Sequence, residues 1–414
     1  MYLRFAWRYF RSRKSTTAIS LIAWISVVAI AVGTASLILV LSVFNGFEGL
    51  VKSLYAEFYP EIRITPSKGK FMEVSDRLRD SIGQWPGVAG VCRVLEEKAI
   101  LQHGDNQSVI QIKGVDEQYA AVSRLADRTY HGQFALGTEE FPQLVLGAGV
   151  EDALGIQVGR ELTSVRVFLP RQGGGRLLSA ENIQESNLYV SGSFLIQQDF
   201  DEQYGITRYD HLRAVSGLSD ASVSSLELKL TDGDRVNSVK KGLRDWLGNA
   251  FVVEDRYEQN RSLYGVMNAE RWIVYGILSL ILVVGAFTMI GALTMLILEK
   301  QTDIQILRAL GSEVSVIRRI FLTEGLLLAS IGAGMGMLLA LSLVWAQQNF
   351  HLIPLGGGSF LIDYYPVELR GGDFILIVAT VLLIAGLASW FPANKAARRI
   401  QSLRTQQSPK VSGN

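Results

Sequence analysis

The 414-residue chain is 49% hydrophobic and carries 40 Lys and Arg against 39 Asp and Glu, a formal net charge of +1. That balance sets up no global field toward nucleic acid or an acidic substrate, and the apolar share leans away from a purely soluble protein. The single cysteine, Cys92, excludes an intramolecular disulfide and any cysteine pair for zinc or redox chemistry; in Val91-Cys92-Arg93-Val94 it reads as a small core hydrophobe.

In chain order, the first element is a charge-free run, Thr17 to Phe44. As a helix its 28 residues reach about 42 Å, beyond the ~20 residues that cross a hydrocarbon core of about 30 Å. The apolar region of a cleaved signal peptide would be only ~7–15 residues, so this reads as a retained anchor. Trp272 to Leu298 and Phe374 to Phe391 are also uncharged, and Ile320 to Trp345 is interrupted only by Glu324. The expected fold class is therefore a membrane protein with four transmembrane α-helices and a large mixed α/β domain outside the membrane inserted between helices 1 and 2.

Cations in the short flanks set the orientation. Arg4, Arg8, Arg11, Arg13 and Lys14 precede the first span; Lys300, Arg308, Arg318 and Arg319 lie between the second and third; Lys395, Arg398, Arg399, Arg404 and Lys410 follow the fourth. Residues 346–373 hold only Arg370. The expected layout is 1–46 cytoplasmic N-terminus and first span, 47–270 external domain, 271–298 second span, 299–319 cytoplasmic loop, 320–345 third span, 346–373 external loop, 374–391 fourth span and 392–414 cytoplasmic tail.

Within 47–270, strands are expected at 61–65, 108–113, 162–169, 188–196, 225–230 and 251–253, several with alternating apolar and polar residues. Helices are expected at 72–84, 116–125 and 236–247, and a separate subdomain at 116–205. Pro170 to Arg176, with three glycines, is a flexible loop. Amphipathic stretches Phe47–Tyr59 and Asp255–Glu270 are expected to continue their membrane helices outward as stalks.

The signatures of catalysis are missing. His103, His131, His211 and His351 show no helical ligand spacing, and G-x-S-x-G, H-E-x-x-H and G-x-x-x-x-G-K-[ST] are absent. The expectation is a chain with no metal or cofactor of its own and no ATPase activity. The informative segment is Glu299 to Gly311. Thr302 is placed to N-cap a short helix, Asp303 suits its positive end, and Gly311 can end it. Two turns are unstable alone, and Ile304, Ile306, Leu307 and Leu310 cannot all be buried within them. This knob is expected to dock into another protein, the alternative being the chain's own helices or the lipid interface.

In the membrane, Ala29 and Gly33 on the first span and Gly332, Gly336 and Ala340 on the third are small residues at four-residue spacing, which lets helix backbones approach. Glu324 is the one acid inside a span; snorkelling to the interface or pairing with Arg318 or Arg319 is the expected use, with transmission of motion as the alternative.

Four stretches together resemble the permease subunits of ABC transporters in the FtsX/MacB-like superfamily, and within it the lipoprotein-releasing permeases of Gram-negative bacteria. They are Glu299–Gly311 with Ile320–Gly325, Phe360–Val367, Ala388–Ala393 with Lys395–Arg398, and Leu146–Gly149 with Leu154-Gly155 and Val158-Gly159. Arg160 departs from the family, which usually has an acidic residue there. The resemblance implies a multi-pass inner-membrane protein with cytoplasmic termini. It pairs with a second permease chain, a copy or a paralogue, above a cytoplasmic ATPase dimer that binds ATP and Mg. Asp303, Ile304, Ile306, Leu307, Arg308, Leu310 and Gly311 would form the helix that couples to the ATPase. A lipoprotein substrate would pass from the membrane lipids to a periplasmic chaperone, its acyl chains held near Val40, Val43, Phe44, Tyr264, Met267 and Trp272. Rival readings are an efflux-type permease of the same superfamily, an ATP-driven regulator of a periplasmic hydrolase, and a membrane-anchored sensor or enzyme.

Overall fold

The structure, a computed structural model, describes residues 17–159, 163–170, 183–355 and 364–406. Arg4, Arg8, Arg11, Arg13, Lys14, Arg160, Phe360–Asp363, Lys410 and all of the 170–176 loop but Pro170 lie outside the described residues. In chain order the helices are α1 (Thr17–Phe58), α2 (Asp76–Gly83), α3 (Tyr119–Val122), α4 (Ala148–Leu154), α5 (Gln198–Asp201), α6 (Tyr209–Ser216), α7 (Val236–Leu247), α8 (Arg256–Gln259), α9 (Arg261–Glu299), α10 (Gln301–Ala309), α11 (Val314–Phe350) and α12 (Gly371–Gln406). The strands are β1 (Ile62–Pro66), β2 (Met72–Glu73), β3 (Val88–His103), β4 (Asn106–Val115), β5 (Thr129–Gly132), β6 (Gln143–Gly147), β7 (Ser164–Pro170), β8 (Ile183–Phe194), β9 (Tyr204–Arg208), β10 (Ser222–Val223), β11 (Ser225–Leu230) and β12 (Phe251–Asp255). The chain divides into two units, one of residues up to Gly49, Val266–Leu355 and Tyr364 onward, the other centred on Leu50–Gly265.

The first unit contains the spans. Helices α1, α9, α11 and α12 are each long and apolar enough to cross a membrane. Their shared core includes Val27, Leu37, Leu41, Leu282, Met289, Leu328, Ile377 and Val381. Close approach depends on the small residues. A methyl group on Gly336 would sit 2.3 Å from the Ala31 carbonyl oxygen, and one on Gly332 would sit 2.8 Å from that of Val27. One on Gly33 would meet Leu282 at 2.7 Å, Gly285 faces Ala29, and Ala340 is fully buried. These residues therefore pack α1 against α11 and α9 inside one chain. Gly325 likewise meets Ser389, bringing α11 against α12.

Glu324 does not snorkel. It is 1% exposed, neither carboxylate oxygen has a hydrogen-bond partner among the described residues, and Arg318 and Arg319 are exposed instead of paired with it. Its neighbour Gly325 sits in the packed seam with Ser389, so the helix face that seam requires turns Glu324 inward.

Among the described residues, the second unit is built on a ten-stranded sheet of order β12-β1-β11-β3-β4-β9-β6-β8-β5, with β7 pairing β3 and β8. The β4–β9 and β6–β8 pairs are parallel and the other pairs antiparallel. The sheet runs through residues 116–205 and both flanks, joining them in one layer rather than setting the centre apart. One core lies under α2, α4, α6 and α7 and a second contains the end of α1. The stretch 72–84 is a two-residue strand followed by α2. Ser75 accepts from the Leu78 amide at 3.3 Å and so starts that helix late. The stretch 116–125 holds only the short α3 before a 3-10 turn at Leu125–Arg128.

Candidate functional site

Two places stand out: the short helix α10, with an exposed apolar edge, and the buried seat of the end of α1 in the second unit. Helix α9 ends at Glu299 and α10 begins at Gln301, so Lys300 alone forms the elbow. Thr302 lies inside the first turn and does not cap; the N-cap position is Lys300, with no side-chain cap bond. The far end follows the glycine rule. Gly311 has φ +91°, its amide donates to Arg308 O at 2.9 Å, and Ser312 N donates to Leu307 O at 3.0 Å. That pair of bonds is a Schellman closure.

The apolar residues of α10 divide by face. Ile304 is buried with Ile297, Ile317, Phe321 and Ala393, so it anchors the helix to its own chain and is not a docking residue. Leu307, Arg308 and Asp303 are half-buried, and Asp303 lies 3.6 Å from Lys300. Ile306 is 54% and Leu310 79% exposed. One turn apart, with exposed Thr302, Gln305 and Ala309 beside them, they form an outward apolar edge on a helix pinned from behind.

Helix α1 runs unbroken for 42 residues, about 63 Å. Its last turns enter the second unit as a plug. Leu54, Tyr55 and Phe58 are buried with Val115, Tyr119, Phe194 and Ile206. Phe58 stacks on Phe200 at 4.5 Å between centroids, and Tyr55 meets Phe200 edge-on at 5.0 Å. The helix terminus is satisfied by side chains: Arg256 Nε donates to Tyr59 O at 2.9 Å and Ser123 Oγ to Glu57 O at 3.3 Å. The guanidinium also complements the negative end of the helix. Beneath Phe58 lies a buried ion pair, Lys113 Nζ to Glu227 Oε1 at 2.8 Å, with Lys113 4.9 Å from the Phe58 ring centroid. The Glu227 carboxylate holds Lys113 charged despite complete burial.

The glycines of Leu146-Gly147-Ala148-Gly149 belong to this seat. A methyl on Gly147 would lie 2.2 Å from Asp201 O and one on Gly149 would strike Glu202, so α5 and its Phe200 can lie flat on the start of α4. Asp201 turns back to accept from Ile196 N at 2.9 Å, and burial pushes its carboxyl up to about 7. A folded-state value above the unfolded one means the folded chain holds a proton that the unfolded chain has lost. Asp201 therefore favours folding most below about pH 4, and that contribution falls away as pH rises to about 7, at up to about 1.4 kcal/mol per pH unit. Asp201→Asn should unfold a few degrees higher than the parent at pH 8 and show no advantage at pH 4, measured by thermal unfolding of the full chain in detergent.

The apolar residues expected near acyl chains are not equivalent. Val40, Val43, Phe44 and Met267 are half-buried and Trp272 is 55% exposed. Tyr264 is buried, stacked on Tyr257 at 5.0 Å with Lys52 over its ring; it is engaged in the second unit and offers no free surface. The second stalk breaks at Asn260, after an Asp255–Glu258 capping box starts the one-turn helix α8.

Residues 23–246 match the family model described as the MacB-like periplasmic core domain, more than half of the chain, and residues 275–399 match the FtsX-like permease C-terminal model. The chain belongs to the MacB/FtsX-like permease family. This permease is 25% identical over 412 residues to the lipoprotein-releasing system transmembrane protein LolE of Haemophilus influenzae, covering 95% of this chain and 96% of that one. With LolC of Neisseria meningitidis serogroup B the figures are 27% over 404 residues, 94% and 95%. The macrolide export ATP-binding/permease protein MacB of Bartonella henselae is 22% identical over 403 residues, 91% of this permease but 56% of that protein.

Proposed function

We propose that this permease is the transmembrane subunit of an ABC transporter that extracts lipoproteins from the inner membrane and releases them to a periplasmic carrier. The carrying observation is similarity to lipoprotein-releasing permeases along nearly the full length of both chains. Two permease chains pair above a cytoplasmic ATPase dimer, which binds ATP and Mg and supplies the energy. The Ile306–Leu310 edge of α10 docks into the ATPase. Its displacement passes through the Lys300 elbow into α9, and the seat around Phe58 lets α1 transmit movement to the periplasmic sheet. Residues 299–319 and both termini are cytoplasmic, and 47–270 is periplasmic. Depleting the permease in its own cells and fractionating the envelope tests the assignment. Outer-membrane lipoproteins should collect in the inner membrane within a few generations; normal sorting after depletion would remove it.

A further inference from the structure

The outer end of the membrane unit carries a polar node among apolar helices. Asp373 opens α12, where a carboxylate is favoured by the helix dipole. It is 8% exposed and its two oxygens are shared between two other helices. Oδ2 accepts from Asn45 Nδ2 on α1 at 2.6 Å, and Oδ1 accepts from Arg271 Nη2 on α9 at 2.5 Å. One turn deeper, Tyr275 on α9 bonds Thr380 on α12.

The segment leading to Asp373 is clasped to α1 as well. A methyl on Gly46 would lie 2.3 Å from Pro366 O. Glu368 N donates to Ser42 O at 2.9 Å, and Arg370 pairs with Glu48 at 2.7 Å. From α11, Gln347 donates to the carbonyls of Ile353 and Tyr365, both at 3.2 Å, and Gln348 to that of Val367 at 3.0 Å. The segment is thus a strap with backbone contacts to α1 and side-chain ties to α11, ending in a carboxylate that bridges α1 and α9.

We infer that Asp373 is a positioning residue that fixes the spacing of α1 and α9 where they leave the membrane, so that a push on one moves both. A low-dielectric site makes such a bridge stiff, because breaking either bond leaves a buried charge or amide without a partner. The inference deepens the permease reading: in that reading α1 and α9 carry the stroke, and a loose node would let one slip while the other moves.

Spin labels at Phe47 and Ile273, beside the bridging residues, report the spacing directly in the full complex. The unaltered chain should give one narrow distance distribution. Asp373→Leu should broaden it and lower lipoprotein released per ATP hydrolysed at least tenfold, with membrane insertion and basal ATP hydrolysis kept. Asp373→Asn retains the Asn45 contact and should fall between, which separates loss of the node from misfolding. The Arg271→Asp/Asp373→Arg exchange should restore part of the coupling. An unchanged distribution in Asp373→Leu overturns the inference whatever the protein transports, as does a broadened distribution with undiminished release per ATP. A complex of the unaltered chain that releases no lipoprotein, yet whose spacing broadens in Asp373→Leu, would sink the transport reading and leave the node standing.

Discussion

Replacing Leu310 or Ile306 by Asp should abolish co-purification of the ATPase while the permease still inserts in normal amounts. Both side chains stand outward on α10, and covering one large apolar group is worth about 1.5–3 kcal/mol. Losing it and burying a carboxylate in its place should weaken association at least 100-fold, since each 1.4 kcal/mol is about tenfold. Ile304→Asp should behave differently. Ile304 packs with Ile297, Ile317 and Phe321, so a charge there undoes the attachment of α10 to its own chain and should lower the amount of folded permease. Quantitative pull-down normalised to membrane-inserted permease separates the two results. Equal behaviour of the 304 and 310 variants would remove the distinction between anchoring and docking faces.

Lys113→Met should be among the most destabilising single changes in the sheet unit, at about 3–5 kcal/mol, because it leaves Glu227 charged and buried without its partner. Replacing both, Lys113→Met with Glu227→Leu, should recover most of the loss, since well-packed apolar residues often replace a buried pair at little net cost. Lys113 also lies over the Phe58 and Tyr119 rings, so the single variant should loosen the seat of α1 as well. Chemical unfolding of the full chain, with proteolysis near Tyr59 as a second readout, measures both effects. A double variant as unstable as the single one would mean that the pair has a role beyond mutual neutralisation.

The apolar spans α1, α9, α11 and α12 were legible because a hydrocarbon core demands about 20 uncharged residues in a row and few other structures do. The strands around Val165 and Ser225 were legible from alternation. The 16-residue β3 was not, because it pairs with β11, β4 and β7 along its length and its burial does not follow one period. Its buried Glu97, like Lys113 on β4 and Glu227 on β11, looks in sequence like a surface residue; Lys113 and Glu227 are explained by each other across the sheet, and Glu97 by Lys70 from the loop before β2.

Sequence identified α10 but not its orientation. Ile304 and Ile306 are chemically alike, and which one faces inward is decided by the Lys300 elbow and the side of α11 it meets. Thr302 had a capping residue's chemistry, but α9 runs so nearly into α10 that the first turn starts before it. The Asp373 node was invisible for a simpler reason: its partners are 328 and 102 positions away.

Transmission from an ATPase to the sheet unit requires the α10 edge and the sheet unit to face opposite sides of the membrane. Cys92 is fully buried and stays silent to bulky thiol reagents, so single cysteines at the exposed positions Asp105 and Gln305 can be read one at a time. A membrane-impermeant maleimide added to intact spheroplasts should label Asp105→Cys fully, and Gln305→Cys only after the membrane is broken. Labelling of both positions from the same side would contradict the account.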